Sequence, residues 1–233
     1  MKKFQYIISI ACITAASLLV SCEVDNYDAP DGIMTGRVID ATTGIPIISE
    51  QPNGYQIRYD EISWSDNPTP QYLWGKADGT FQNTKMFAGT YEVSAVNGAF
   101  ISTAVQTITI KSEQATNVEF TVTPYISFSN VSIVKEGATV RATFTLSRNI
   151  PDAALVDYRV FASAATHYVG ATESDASVSV ASVAITEADL GVPISVLLPA
   201  QFVSGKTYYI RVGAKCENPN GRYNMTEIVS IQF

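Results

Sequence analysis

The sequence predicts an all-β chain of two consecutive antiparallel β-sandwich domains. Helical periodicity of apolar residues is almost absent along its 233 positions. Short stretches of period-two alternation recur instead, as in Val140, Ala142, Phe144 and Leu146 set against Arg141, Thr143, Thr145 and Ser147, which is the pattern of a strand with one wet face. Between such stretches stand Gly, Asn, Asp and Pro, the residues that turn a chain back on itself.

The first 21 residues read as an export signal. Met1-Lys2-Lys3 gives a basic start, Tyr6 to Val20 an apolar middle interrupted only by Ser and Thr, and no acid precedes Glu23. The apolar run of ~14 residues is shorter than the ~20 that a membrane-crossing helix needs. Residues 22–31 follow as an acidic tether, with Glu23, Asp25, Asp28 and Asp31.

The first domain is expected over residues 32–123. Val38 and Ile45-Pro46-Ile47-Ile48 flank a turn at Thr42-Thr43-Gly44, and Asp78-Gly79 joins two candidate strands with a pair favoured in tight hairpins. Tyr55, Ile57 and Tyr59 alternate toward a core. Thr90 to Val96 and Val105 to Lys111 read as further strands, and Val118, Phe120 and Val122 share one face of the last. Pro124 marks the boundary to a second domain over 124–233, where Val156, Tyr158, Val160 and Ala162, then Tyr208, Ile210, Val212 and Ala214, then Val229, Ile231 and Phe233 repeat the strand pattern. Glu187 to Gly191 alone reads as a helical turn.

Particular motifs carry resemblances. Leu19-Val20-Ser21-Cys22 resembles the lipobox of bacterial lipoproteins, which implies diacylglyceryl attachment at Cys22 and cleavage before it. The acidic tether resembles the surface-export signal of Bacteroidetes lipoproteins, a plain solvated spacer being the alternative. Thr35-Gly36-Arg37-Val38-Ile39-Asp40, Asp78-Gly79-Thr80-Phe81 and Gly89-Thr90-Tyr91-Glu92-Val93 resemble the carboxypeptidase regulatory-like sandwich, a transthyretin-type fold. Gly205 to Val212 resembles the penultimate strand of a fibronectin type III or immunoglobulin-like domain, with Tyr208 placed where such folds tie that strand to the preceding corner. Together with "CEVDNYDAPDG", "KADGTFQNTKMFAGTYEV" and "KTYYIRVGAK", these features resemble a two-domain Bacteroidetes surface lipoprotein family, domain of unknown function 3823. That resemblance implies an outer-membrane lipoprotein facing the cell exterior, in a polysaccharide-utilisation system beside transporter and receptor proteins.

The composition narrows the chemistry. Losing Lys2 and Lys3 with the signal moves the formal charge from -7 to -9, a field that repels phosphate backbones and argues against nucleic acid as a partner. Without Cys12 and with Cys22 acylated, Cys216 is the one remaining thiol, so no internal disulfide is expected. A proton relay of the Ser-His-Asp or Cys-His kind would depend on His167, the single histidine, and no nucleophile motif accompanies it. Zinc spacing, a dedicated calcium loop and phosphate-binding glycine loops are all missing from the sequence. Asp60, Glu61 and Asp66 are the candidates for a glycosidase pair, but they read as solvated charge. No enzyme activity or cofactor is therefore expected and no metal ligands are assigned, calcium staying open because carboxylates and carbonyls suffice for it.

Binding is better supported. The stretch 54–76 holds Tyr55, Tyr59, Trp64, Tyr72 and Trp74, including both tryptophans. If Leu73 points inward, Tyr72 and Trp74 share the outer face with α-carbons ~6.6 Å apart, a spacing that suits stacking on successive sugars. Asp66, Asn67 and Gln71 would supply hydrogen bonds to hydroxyls. Burial remains the competing placement for Trp64, Tyr72 and Trp74, because large rings are also good strand and core formers. A second candidate surface is the loop "KCENPNGRYN", with Arg222 and Tyr223 at its tip. The expected role is non-catalytic binding of a polysaccharide or oligosaccharide; the alternative is a structural spacer or docking module for outer-membrane partners.

Overall fold

The computed structural model describes residues 29–233, as two β-sandwiches in series. The expected signal, Cys22 and the tether through Asp28 lie outside the described residues.

The first sandwich contains β1 (Gly32–Asp40), β2 (Gln56–Glu61), β3 (Gln71–Trp74), β4 (Thr80–Met86), β5 (Gly89–Val96), β6 (Gln106–Ile110) and β7 (Ala115–Val122). A three-stranded sheet in the order β4-β1-β7 faces a four-stranded sheet in the order β3-β2-β5-β6. Period-two alternation puts Met34, Val38, Ile57, Phe81, Val93, Val118 and Phe120 into the shared core, each at most 3% exposed. Two details differ from the sequence reading. β1 and β7 run parallel, from Ile33 beside Ala115 to Asp40 beside Val122, because the first and last strands of the domain enter the same sheet in the same direction. Asp78-Gly79 does not close a hairpin ladder: it carries the chain from β3 to β4, which belong to opposite sheets. Gly79 takes φ +76°, Asp78 Oδ1 accepts from the Thr80 N–H at 3.0 Å, and the Gly79 carbonyl accepts from the Val38 N–H at 2.9 Å, so the turn is anchored to β1.

The second sandwich contains β8 (Ile126–Glu136), β9 (Thr139–Arg148), β10 (Leu155–Ser163), β11 (Val180–Ala184), β12 (Pro193–Leu197), β13 (Thr207–Cys216), β14 (Asn224–Met225) and β15 (Val229–Gln232), with a 3-10 turn at Glu187–Asp189. Its sheets are β12-β9-β8 and β11-β10-β13, the latter completed by β14 and β15, two pieces of one edge strand on β13. The Tyr208 hydroxyl accepts a hydrogen bond from the Val203 N–H at 3.0 Å, which ties β13 to its preceding corner as in immunoglobulin-like sandwiches.

The domains meet through a small core of their own. Ile48 of the first packs with Phe161, Val169, Tyr223 and Met225 of the second. Around it, polar groups interlock. Arg211, 1% exposed, donates from Nε to the Val169 carbonyl (2.5 Å) and from Nη1 to the Ser49 carbonyl (3.2 Å), while buried Glu50 accepts from the Ala171 N–H (2.6 Å). Desolvation lowers the Arg211 pKa to about 10, still far enough above neutrality to leave it charged. The Asn224 amide spans the boundary, giving a hydrogen bond to the Ala99 carbonyl and receiving one from the Ile126 N–H, both at 2.9 Å.

Candidate functional site

The outer face of the four-stranded sheet is built at its edge by β3. Leu73 packs against the core, so Tyr72 and Trp74 turn outward, 48% and 43% exposed. Gly75, just beyond, lies against the Tyr55 ring, where a Cβ would stand 2.0 Å from Cζ, and its N–H bonds to the Tyr55 carbonyl at 3.0 Å. The main chain behind Trp74 is thereby pinned to the core.

Strand register then decides what lies beside the rings. Trp74 pairs with Gln56 and Tyr72 with Arg58. Arg58 is held by Asp60 through Nη2 to Oδ2 at 2.6 Å and Nε to Oδ1 at 3.2 Å. That hydrogen bonding, with the nearby Asp60, Tyr72 and Glu92, raises the Arg58 pKa. Asp60 is consequently a buried, committed ion-pair partner on a strand, not the loop charge the sequence suggested. Gln56 Oε1 accepts from Asn97 Nδ2 at 2.7 Å, and Asn97 Oδ1 accepts from Asn220 Nδ2 of the second domain at 3.1 Å. The Arg222 guanidinium, also from the second domain, lies 5.8 Å from the Trp74 ring centroid. One face thus gathers Tyr72, Trp74, Gln56, Arg58, Asn97, Asn220 and Arg222 across the domain boundary. The two surfaces read separately in the sequence are one, at Trp74 and Arg222.

Two family models match the chain in tandem, "Protein of unknown function (DUF3823) N-terminal domain" over residues 32–123 and "Domain of unknown function (DUF3823_C)" over residues 126–230. The chain belongs to the DUF3823 family. A Bacteroides uniformis structure described as a "putative carbohydrate binding protein" is 27% identical with TM-score 0.73, the match covering 88% of this chain and 100% of that one. A DUF3823 family protein from the same organism is 24% identical with TM-score 0.73, covering 87% and 99%. One from Parabacteroides merdae is 23% identical with TM-score 0.71, covering 88% and 100%. These last two show the shared fold. No curated protein matches the chain.

The remaining candidates of this DUF3823 protein fall elsewhere. Trp64 is 76% exposed, and with exposed Asp66 and Asn67 it occupies the connection between β2 and β3. That loop begins past the Tyr59–Gln71 pair, at the end of β3 remote from Trp74. Tyr223 is not at a recognition tip. It is 7% exposed, its ring meets Phe161 edge-on, and its hydroxyl donates to Asp157 Oδ1 at 2.7 Å, because β14 draws it under the interdomain core. Cys216 is buried, and burial pushes its thiol pKa up. His167 is exposed and edge-on to Tyr209. Among the described residues no three His, Cys, Asp or Glu side chains gather as a metal site. A groove of about 440 Å³ runs between the domains, with Ile45, Ile48, Phe128, Val131 and Val229 in its walls. Its mostly apolar lining suits hydroxyl-rich ligands poorly.

Proposed function

We propose that this DUF3823 protein is a lipid-anchored, non-catalytic accessory protein of the outer cell surface that binds glycan, within a polysaccharide-utilisation system and beside outer-membrane transporter and receptor proteins. The observation that carries the binding is the outward pair Tyr72 and Trp74 with the planar amides of Gln56, Asn97 and Asn220 on a single sheet face. Pyranose rings present C–H groups on one face, which an electron-rich ring face attracts, and hydroxyls at their rim, which amides satisfy as donors and acceptors. An open face of this kind reads a chain from the side, and strands hold it more firmly than loops would. The likeness to a neighbour described as carbohydrate binding points the same way. Leu19 to Cys22 supplies the anchor.

Affinity electrophoresis against a panel of plant and host polysaccharides tests the binding. Trp74→Ala and Tyr72→Ala are expected to weaken retention at least about tenfold, on the order of 1.4 kcal/mol, with unchanged folding. Unaltered retention in both removes the proposed face. For the anchor, Cys22→Ser should shift the protein from the membrane to the soluble fraction. Continued lipid labelling of that variant would refute it.

The interlocked domain boundary also suits a spacer that holds a partner at a fixed distance. That reading predicts intact function in cells when Trp74 is replaced, whereas glycan binding predicts loss.

A further inference from the structure

We infer that the site selects an acidic glycan, one carrying a carboxylate as hexuronic acids do, and that Arg222 is the residue that selects it. This deepens the glycan-binding reading and rests on it. Two guanidinium groups reach the aromatic face, and they differ in what already occupies them. Arg58 is spent on Asp60, which takes two of its donors. Arg222 makes no ion pair with any described residue. Its Nε is buried without a hydrogen-bond partner, and Nη1 and Nη2 donate to no described group, so the outer fork of the guanidinium is left for solvent or a ligand.

The main chain that carries the fork is also held. Asn218 braces the loop from inside: its Oδ1 accepts from the Arg222 N–H, and its Nδ2 donates to the Arg222 and Cys216 carbonyls, each at 2.9 Å. Resting on Trp74 limits the guanidinium further. Part of the ordering cost that a long, flexible side chain would meet on binding is therefore met in advance. A planar fork with two parallel N–H bonds is the shape that matches a carboxylate, and charge assistance makes those bonds shorter and stronger than hydroxyl contacts. A neutral sugar could be read by the amides alone.

The chain has 22 acidic residues against 15 basic ones, yet none among those described forms an ion pair with Arg222. The overall negative charge does not cancel the pairing, because salt screens exposed charges beyond about 8 Å at physiological ionic strength while a contact pair is screened far less. Asp60 is already paired, and Glu92 stands opposite it on β5, on the side of the face away from Trp74.

The test compares polygalacturonate, alginate and hyaluronan with their carboxyl-reduced counterparts, using the wild-type protein, Arg222→Gln and Trp74→Ala. The wild type is expected to retain at least one acidic polymer about tenfold more tightly than its reduced counterpart. Arg222→Gln should bind both forms alike, losing the preference and its salt sensitivity, and Trp74→Ala should lose both forms. Equal wild-type retention of charged and reduced polymers, a preference that survives in Arg222→Gln, or no retention of any acidic polymer overturns the inference. If neutral polymers are still held in a Trp74-dependent way, the glycan-binding reading survives that outcome. If Trp74→Ala changes nothing on any polymer, both fall together.

Discussion

Tyr55 and Tyr223 show how much depends on single phenols kept in the neutral form. The Tyr55 hydroxyl donates to the Thr80 carbonyl at 3.0 Å, and Tyr223 donates to Asp157. Burial raises the pKa of both strongly, with the Asp78 charge adding at Tyr55 and the Asp157 hydrogen bond adding at Tyr223. Desolvation also raises Tyr59, Tyr91 and Tyr158. In the unfolded chain a tyrosine ionises near about 10, so above that pH the unfolded state releases protons that the folded state retains. The stability these groups contribute is complete below that pH and declines as pH climbs past it. Arg211 acts with the opposite sign, since its lowered pKa favours folding as pH rises, but it is one group against five. Urea midpoints are therefore expected to drop between neutral and strongly alkaline pH, and Tyr223→Phe should flatten the decline. A midpoint that holds or increases would contradict this account.

At the level of strands, β3 shows what the sequence makes legible. The sequence Tyr72-Leu73-Trp74 alternates with period two, and the outward placement of both rings follows once Leu73 is assigned to the core. Tyr55 and Ile57 were equally readable as interior, both being fully buried. Gln56 and Arg58 are not legible as site residues, because their nearness to the rings comes from register between strands, which alternation within a strand does not specify, and Asn97 joins them from just past β5 through its hydrogen bond to Gln56. The signal available was the polar half of "YQIRYDE": Gln56, Arg58 and Asp60 sit between apolar positions and share the outer face with Tyr72 and Trp74. Arg222 is legible as a loop-tip candidate, but its meeting with Trp74, and the part played by Asn220, are not, since both approach the rings only when the second domain docks. Tyr223 turns inward instead of standing at the loop tip because it immediately precedes β14 and packs edge-on to Phe161. The 11-residue strand β8 also lacks clean alternation, being shifted in register between Ser129 and Ser132, with Asn130 at φ +52°.

For the whole molecule, the boundary between domains would be a working part of the proposed site, because Trp74 and Arg222 come from opposite sides of it. Asn224 lies outside the proposed glycan face and holds the junction through one hydrogen bond across it to Ala99, its other partner being Ile126 at the start of β8. Asn224→Ala should separate calorimetric unfolding into two transitions where the parent shows one, and should weaken glycan retention although no direct contact is lost. A single transition with unchanged retention would show that the small core at Ile48 and the Arg211 and Glu50 hydrogen bonds hold the domains without Asn224. The direction of β1 has a mechanical meaning as well. The chain enters the first sandwich at one end of β1 and leaves for the second from the opposite end of β7, and these strands lie parallel through eight residue pairs. Tension along the chain would load that ladder in shear, straining many bonds at once where an antiparallel hairpin would unzip one by one. Under the proposed role, such a strand arrangement would let the protein keep hold of a long polymer tugged by flow.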